Sequence, residues 1–154
     1  MRHPHGLRAA AAAGGGSDIA VAHTTSPFIS VYPWSSGFGT KYANPATLPA
    51  GVGRSVAFSP DGANIAVAHR SSGAVISVYP WSSGFGTKYA DPATLPGATE
   101  AYGVAFSPDG ANIAVAGRTV TISVYPWSSG FGTKYADPAT VPTGIGNGVA
   151  FSPL

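Results

Sequence analysis

Cysteine is absent from this chain of 154 residues, so it has neither a disulfide framework nor a thiolate metal site. That absence is compatible with every compartment and selects none. Charge is also scarce: only 9% of residues are Asp, Glu, Lys or Arg, and the formal balance is +2. The cations stand singly, whereas nucleic-acid binding needs them clustered against phosphates; no nucleic-acid partner is expected. No apolar run reaches the roughly 18 residues of a membrane-spanning helix, and no membrane partner is expected either. The cytoplasm and a virion are both compatible with such a chain.

Glycine (21) and proline (14) are abundant instead, beside a hydrophobic fraction of 44%. Val, Ile, Phe and Tyr fall in short runs between turn residues, which predicts many short strands. The string ISVYPWSSGFGTKYA occurs three times unchanged, at 29–43, 76–90 and 122–136. Its tryptophans, Trp34, Trp81 and Trp127, are 47 and 46 residues apart. A period in the forties with strand-type composition is the signature of a β-propeller blade.

Residues 1–16 lie outside the repeat. They have a basic start and five alanines from Ala9, short of the hydrophobic middle of about 7–15 residues that a secretory signal needs. They read as a disordered low-complexity tail. Residues 17–154 read as the repeats, in units of approximately 17–55, 56–103 and 104–148 with a partial strand at 149–154. Within the second unit, strands are expected at Val56–Phe58, Asn64–His69, Val75–Tyr79 and Thr87–Ala90. Ser59-Pro60-Asp61-Gly62 supplies the first turn, with Gly62 in the φ > 0 position. Pro80 has no N–H for a ladder and should end the third strand or mark a bulge. Ile65 and Val67 alternate with Ala66 and Ala68, so both faces are apolar, as in a sheet buried on both sides.

The string VAFSPDGANIAVA followed by ISVYPW resembles the tryptophan–aspartate (WD) repeat propellers and the lactonase-like propellers. The resemblance covers residues 17–154 and is strongest in AFSPDG at 57–62 and 105–110. It departs at the end of the third strand, where Tyr32-Pro33, Tyr79-Pro80 and Tyr125-Pro126 stand in place of Trp-Asp. The glycine–histidine pair is missing too, so the resemblance implies the fold without that family's hydrogen-bond network. Near-identical tandem units are similar to propeller proteins of phage and bacterial origin.

The expected architecture is therefore all-β: a propeller segment of three four-stranded blades. The first blade lacks its innermost strand and is completed only by the C-terminal strand VAFSPL at 149–154, the arrangement by which propellers close. Propellers usually have about 4–8 blades. Two resolutions follow: the chain is a fragment of a longer array, or it self-associates. In the second, Val149–Ser152 of one copy completes the first blade of another in a six-blade homodimer.

Catalytic readings find little support. GFGTK is not a phosphate loop, because Thr precedes Lys in a strand-turn-strand context. His23 and His69 match in position but Gly117 takes the third place, and no carboxylate accompanies them; His3 and His5 lie in the tail. Asp61 and Asp109 are explained as turn residues. Identical units do not supply differently tuned groups around one reacting atom, so no catalytic residue, cofactor or metal is expected. Lactonase-like hydrolysis lacks the polar residues it needs.

Two binding readings remain. Differences between the units concentrate in the loops at 23–28, 69–75 and 117–121 and in the connections at 50–55, 97–103 and 143–148. In a meander these emerge on one rim, and variation over a constant frame suits recognition. Arg54, His69, Arg70, Glu100, Tyr102 and Arg118 lie there. A non-enzymatic scaffold for a protein partner is the leading expectation. The alternative is a glycan-binding surface built on Trp34, Trp81, Trp127, Phe38, Phe85 and Phe131, where rings stack sugars; against it stands packing of those rings between blades.

Overall fold

A computed structural model describes residues 17–119 and 121–154. The expected tail at 1–16 lies outside the described residues. Eight strands form: β1 (Ser17–Ala22), β2 (Ile29–Trp34), β3 (Gly53–Phe58), β4 (Asn64–His69), β5 (Ile76–Pro80), β6 (Ala101–Phe106), β7 (Asn112–Gly117) and β8 (Ile122–Pro126). Among the described residues there is no helix. All pairing is antiparallel, in three sheets of order β1-β2, β3-β4-β5 and β6-β7-β8.

The β3–β4 turn forms as its residues dictate. Gly62 N–H donates to the Ser59 carbonyl at 2.8 Å, with Gly62 at φ +70°. Asp61 Oδ1 accepts from Ser59 Oγ at 2.5 Å and from the Ala63 N–H at 3.0 Å. Those donors hold the Asp61 carboxyl below its usual range, the Ser59 hydroxyl first. Ser107–Gly110 repeats the arrangement.

The sheets lie face against face. Ile29 and Val31 of the first sheet pack on Ile65, Val67, Tyr79 and Trp81 of the second. On the second sheet's other face, Ala66, Ala68, Ile76 and Val78 meet Ile113, Val115, Tyr125 and Trp127 of the third. Every residue of β4 is buried, as two-sided apolar alternation requires. The small alanines let neighbouring sheets approach. Tyr79 and Tyr125 each donate their hydroxyl to the preceding unit, at Thr47 O and Thr94 O, both at 2.8 Å.

The fourth strand expected of each unit does not form, nor does the C-terminal one. Thr87–Ala90 makes no ladder. Tyr89 N–H alone reaches the Val78 carbonyl at 2.9 Å, as Tyr42 reaches Val31 and Tyr135 reaches Val124. Lys88 then pairs with Asp91 and Pro92 follows without an N–H to donate. The second and third sheets accordingly have three strands, not four. Residues 149–154 do not complete the first sheet of their own chain. Gly148 and Val149 run beside Gly103, so close that a Cβ there would lie 2.8 Å from Gly148 Cα. The sheets follow one another in chain order, which puts the chain's last residues beside the third sheet rather than against β1.

Candidate binding site on the variable rim

Glu100 ends the connection between the second and third sheets, and backbone bonds hold it between their loops. Ser71 N–H donates to Thr99 O at 3.2 Å, and Arg118 N–H donates to Glu100 O at 2.9 Å. Arg70 and Glu100 form an isolated antiparallel bridge. The equivalent connection one unit earlier is held the same way, by Arg70 N–H on Val52 O at 3.0 Å.

Two β-bulges then aim side chains at this point. The register shifts between Gly53 and Ser55 and again between Ala101 and Gly103, leaving Arg54 and Tyr102 as the extra residues. A bulge re-aims the residue it inserts. Here the Arg54 guanidinium lies 5.5 Å from the Tyr102 ring centroid, within cation–π range.

Glu100 is the hub. It is only 6% exposed. Its Oε1 lies 3.0 Å from Arg70 Nε and 4.0 Å from Arg54 Nη2, and its Oε2 lies 4.0 Å from Arg118 Nη1. The Tyr102 hydroxyl donates to Oε2. That bond, followed by the arginines, lowers the Glu100 pKa despite the opposing effect of burial; the same bond raises the Tyr102 pKa. The group at neutral pH is thus a carboxylate with a protonated phenol and three guanidiniums. The cluster carries a surplus of positive charge. All three arginines are exposed, the Arg54 side chain less so than those of Arg70 and Arg118. A shallow hollow of about 450 Å³ opens beside them, lined also by Ser71, Ser72 and Thr99. Chemically, this arrangement offers planar donor forks to an anion.

Five of the six rim residues singled out from the sequence therefore meet at one place. The sixth does not: His69 is fully buried, with Nε2 3.0 Å from Ser77 Oγ, and burial lowers its pKa to about 4. Its neutral ring is part of the second sheet's interior. His23 makes the matching contact to Ser30 Oγ at 3.0 Å.

The aromatic residues divide by position. Trp81 and Trp127 are buried between sheets, in edge contact with Tyr42 and Tyr89 of the preceding unit. Phe85 and Phe131 pack edge-on against those same tryptophans. Only Trp34 and Phe38, in the first unit, are both exposed. One contributor escaped notice in the sequence: Asp18 accepts from Trp81 Nε1 at 2.8 Å and from the Tyr42 hydroxyl at 2.9 Å. The signal was its place in the repeat, where the other two units have Asn64 and Asn112.

Among the described residues no group of three or more His, Asp and Glu could hold a metal ion. Compared with known proteins, the chain matches no family model and no curated protein.

Proposed function

We propose that this chain is a non-enzymatic β-propeller-type scaffold whose variable rim binds an acidic segment of a partner protein. The observation that carries the reading is the convergence of Arg54, Arg70, Tyr102 and Arg118 on Glu100, beside an open hollow. These residues come from the segments that differ between otherwise repeated units. Buried Glu100 fixes the arginines, so less side-chain freedom is lost when an anion arrives. The exposed forks of Arg70 and Arg118 suit a partner's carboxylates or phosphates.

The test is fluorescence anisotropy with a labelled peptide rich in Glu, against a control of the same length in which Gln replaces Glu. Binding of the acidic peptide alone is expected, weakening with salt and falling about tenfold or more in Arg70→Ala/Arg118→Ala, since hydrogen bonds to charged groups contribute about 1.5–3 kcal/mol each. Equal binding of both peptides, or no effect of the double substitution, contradicts the reading.

A second reading, glycan binding, is favoured by one observation: Trp34 and Phe38 are exposed with ring centroids 5.0 Å apart. Glycan-array binding abolished by Trp34→Ala would support it.

A further inference from the structure

The two internal sheet–sheet interfaces share a recurring set of contacts, and among the described residues each of these has one unused half at either end of the stack. Ile29 and Val31, and likewise Ile76 and Val78, are buried by the next sheet, but their counterparts Ile122 and Val124 are only half-buried. They line an apolar hollow of about 380 Å³ with Tyr135. At the other end, Ile19 and Val21 are 37% and 47% exposed, whereas Ile65, Val67, Ile113 and Val115 in the matching positions are buried.

The aromatic series is left open in the same way. Tyr42 meets Trp81 and Tyr89 meets Trp127, each at 5.1 Å between centroids. Tyr135 and Trp34 remain, 51% and 38% exposed. The tyrosine tethers to Thr47 O and Thr94 O leave Thr140 O and the Tyr32 hydroxyl as the corresponding pair. Finally, among the described residues β1 pairs only with β2. The VAF sequence at 149–151 is identical to 56–58 and 104–106, which pair with β4 and β7 in one register. It lies beside the third sheet, where the inner strand of a following sheet would run.

We infer that the third sheet of one copy receives the first sheet of a second copy, so that the chain associates head to tail through a repeat of its own internal interface. Val149, Ala150 and Phe151 of one copy then pair with Val21, Ala20 and Ile19 of the other, in the register of Val56↔Val67, Ala57↔Ala66 and Phe58↔Ile65. Trp34 packs on Tyr135 across the contact. The occupant is a second copy because both halves of every contact are present on this chain, in a sequence already shown to fit itself twice. The contact is heterologous, so two copies joined through both ends form a closed ring of six sheets. This inference is independent of the rim site.

Two substitutions separate the ends: Val21→Lys at the head, and Val124→Lys at the tail, with Tyr135→Lys as a second tail variant on an exposed residue. Sedimentation equilibrium over a concentration series is expected to give two copies for the unsubstituted chain and one for each variant. A mixture of head and tail variants retains one intact head–tail pair and is expected to form a 1:1 complex. The inference is overturned by a one-copy mass for the unsubstituted chain throughout. It is also overturned if folded variants, judged by circular dichroism, keep the two-copy mass, or if the mixture stays at one copy.

Discussion

Ser123 stands to Gly117 as Ser77 stands to His69, but no histidine ring reaches its hydroxyl. The ladders pair Val67 with Ser77 and Val115 with Ser123, so the two serines are equivalent. Ser77 Oγ meets His69 Nε2, while Ser123 Oγ is buried with no hydrogen-bond partner among the described residues. The cause lies in the rim site. A Cβ on Gly117 would come within 2.5 Å of the Glu100 carbonyl oxygen. The close approach that seats Glu100 between the sheets leaves no room for a side chain there.

A buried unpaired hydroxyl costs about 1–3 kcal/mol, more than an average hydrogen bond contributes. Ser123→Ala is therefore expected to raise stability by about 1 kcal/mol, read as a higher urea midpoint at unchanged slope. Ser77→Ala is expected to lower it by about 1–3 kcal/mol, because both nitrogens of buried His69 are then unpaired; Nδ1 has no partner already. Equal effects of the two substitutions would contradict this asymmetry.

Gly117→His restores the symmetry of the sequence but not of the structure. It is expected to destabilise by about 1–3 kcal/mol, the range for overpacking, and to weaken acidic-peptide binding by moving the Glu100 backbone. Thermal unfolding and the anisotropy titration check the two effects. A stabilised Gly117→His with unchanged binding would show that Glu100 does not need this approach.

His69 is expected to make the stability of the chain depend on pH. Its folded pKa of about 4 lies below the 6.5 of a free imidazole, through burial first. The unfolded state thus takes up a proton first as pH falls, and stability is lost between about pH 6.5 and 4. Below that window this contribution is constant. The full loss is on the order of 3 kcal/mol, at 1.36 kcal/mol per pKa unit. Asp61, Asp109 and Glu100, all held low, lose their contributions only as pH falls through the acid range below. Denaturation midpoints across pH 4–7 should slope for the unsubstituted chain and flatten in His69→Gln; parallel slopes would contradict the assignment.

Much of the architecture could be read from the repeated string. The alternation of Ile65 and Val67 with Ala66 and Ala68 required a strand covered on both faces, and β4 is buried throughout. Ser59-Pro60-Asp61-Gly62 specified its turn through local chemistry alone. The expected strand at Thr87–Ala90 does not form, because its β-type composition is overridden by its neighbours: Tyr89 makes a single bond to Val78, Lys88 turns to Asp91 and Pro92 has no N–H to donate. The rim residues were recognisable as differences between units. Their convergence was not, because it depends on backbone bonds to Thr99 and Glu100 and on bulges at Arg54 and Tyr102, which no pattern of side chains announces. His69 was misplaced on the surface because a strand-end histidine looks polar, while its ring pairs inward with Ser77.

Alkaline pH tests the ties between units. Burial raises the Tyr79 and Tyr125 pKa values to about 12. Their folded values exceed the unfolded value near 10, so the stability they carry is complete below pH 10 and is lost as pH rises toward 12. Ultraviolet titration of the phenols should show two of the seven tyrosines ionising only with unfolding. Tyr79→Phe removes one, and loses about 1 kcal/mol with the bond to Thr47. Seven tyrosines titrating together near pH 10 in the folded chain would contradict the buried placement.

The most direct test of the proposed rim function is an amide-resolved NMR titration of the chain with the Glu-rich peptide. The largest shifts are expected at Ser71, Ser72, Thr99, Glu100 and Arg118, with little change at Asp61, Asp109, Trp34 or Phe38. Shifts centred on the Ser59–Gly62 and Ser107–Gly110 turns or on the Trp34–Phe38 pair, or no shifts at all, would contradict it.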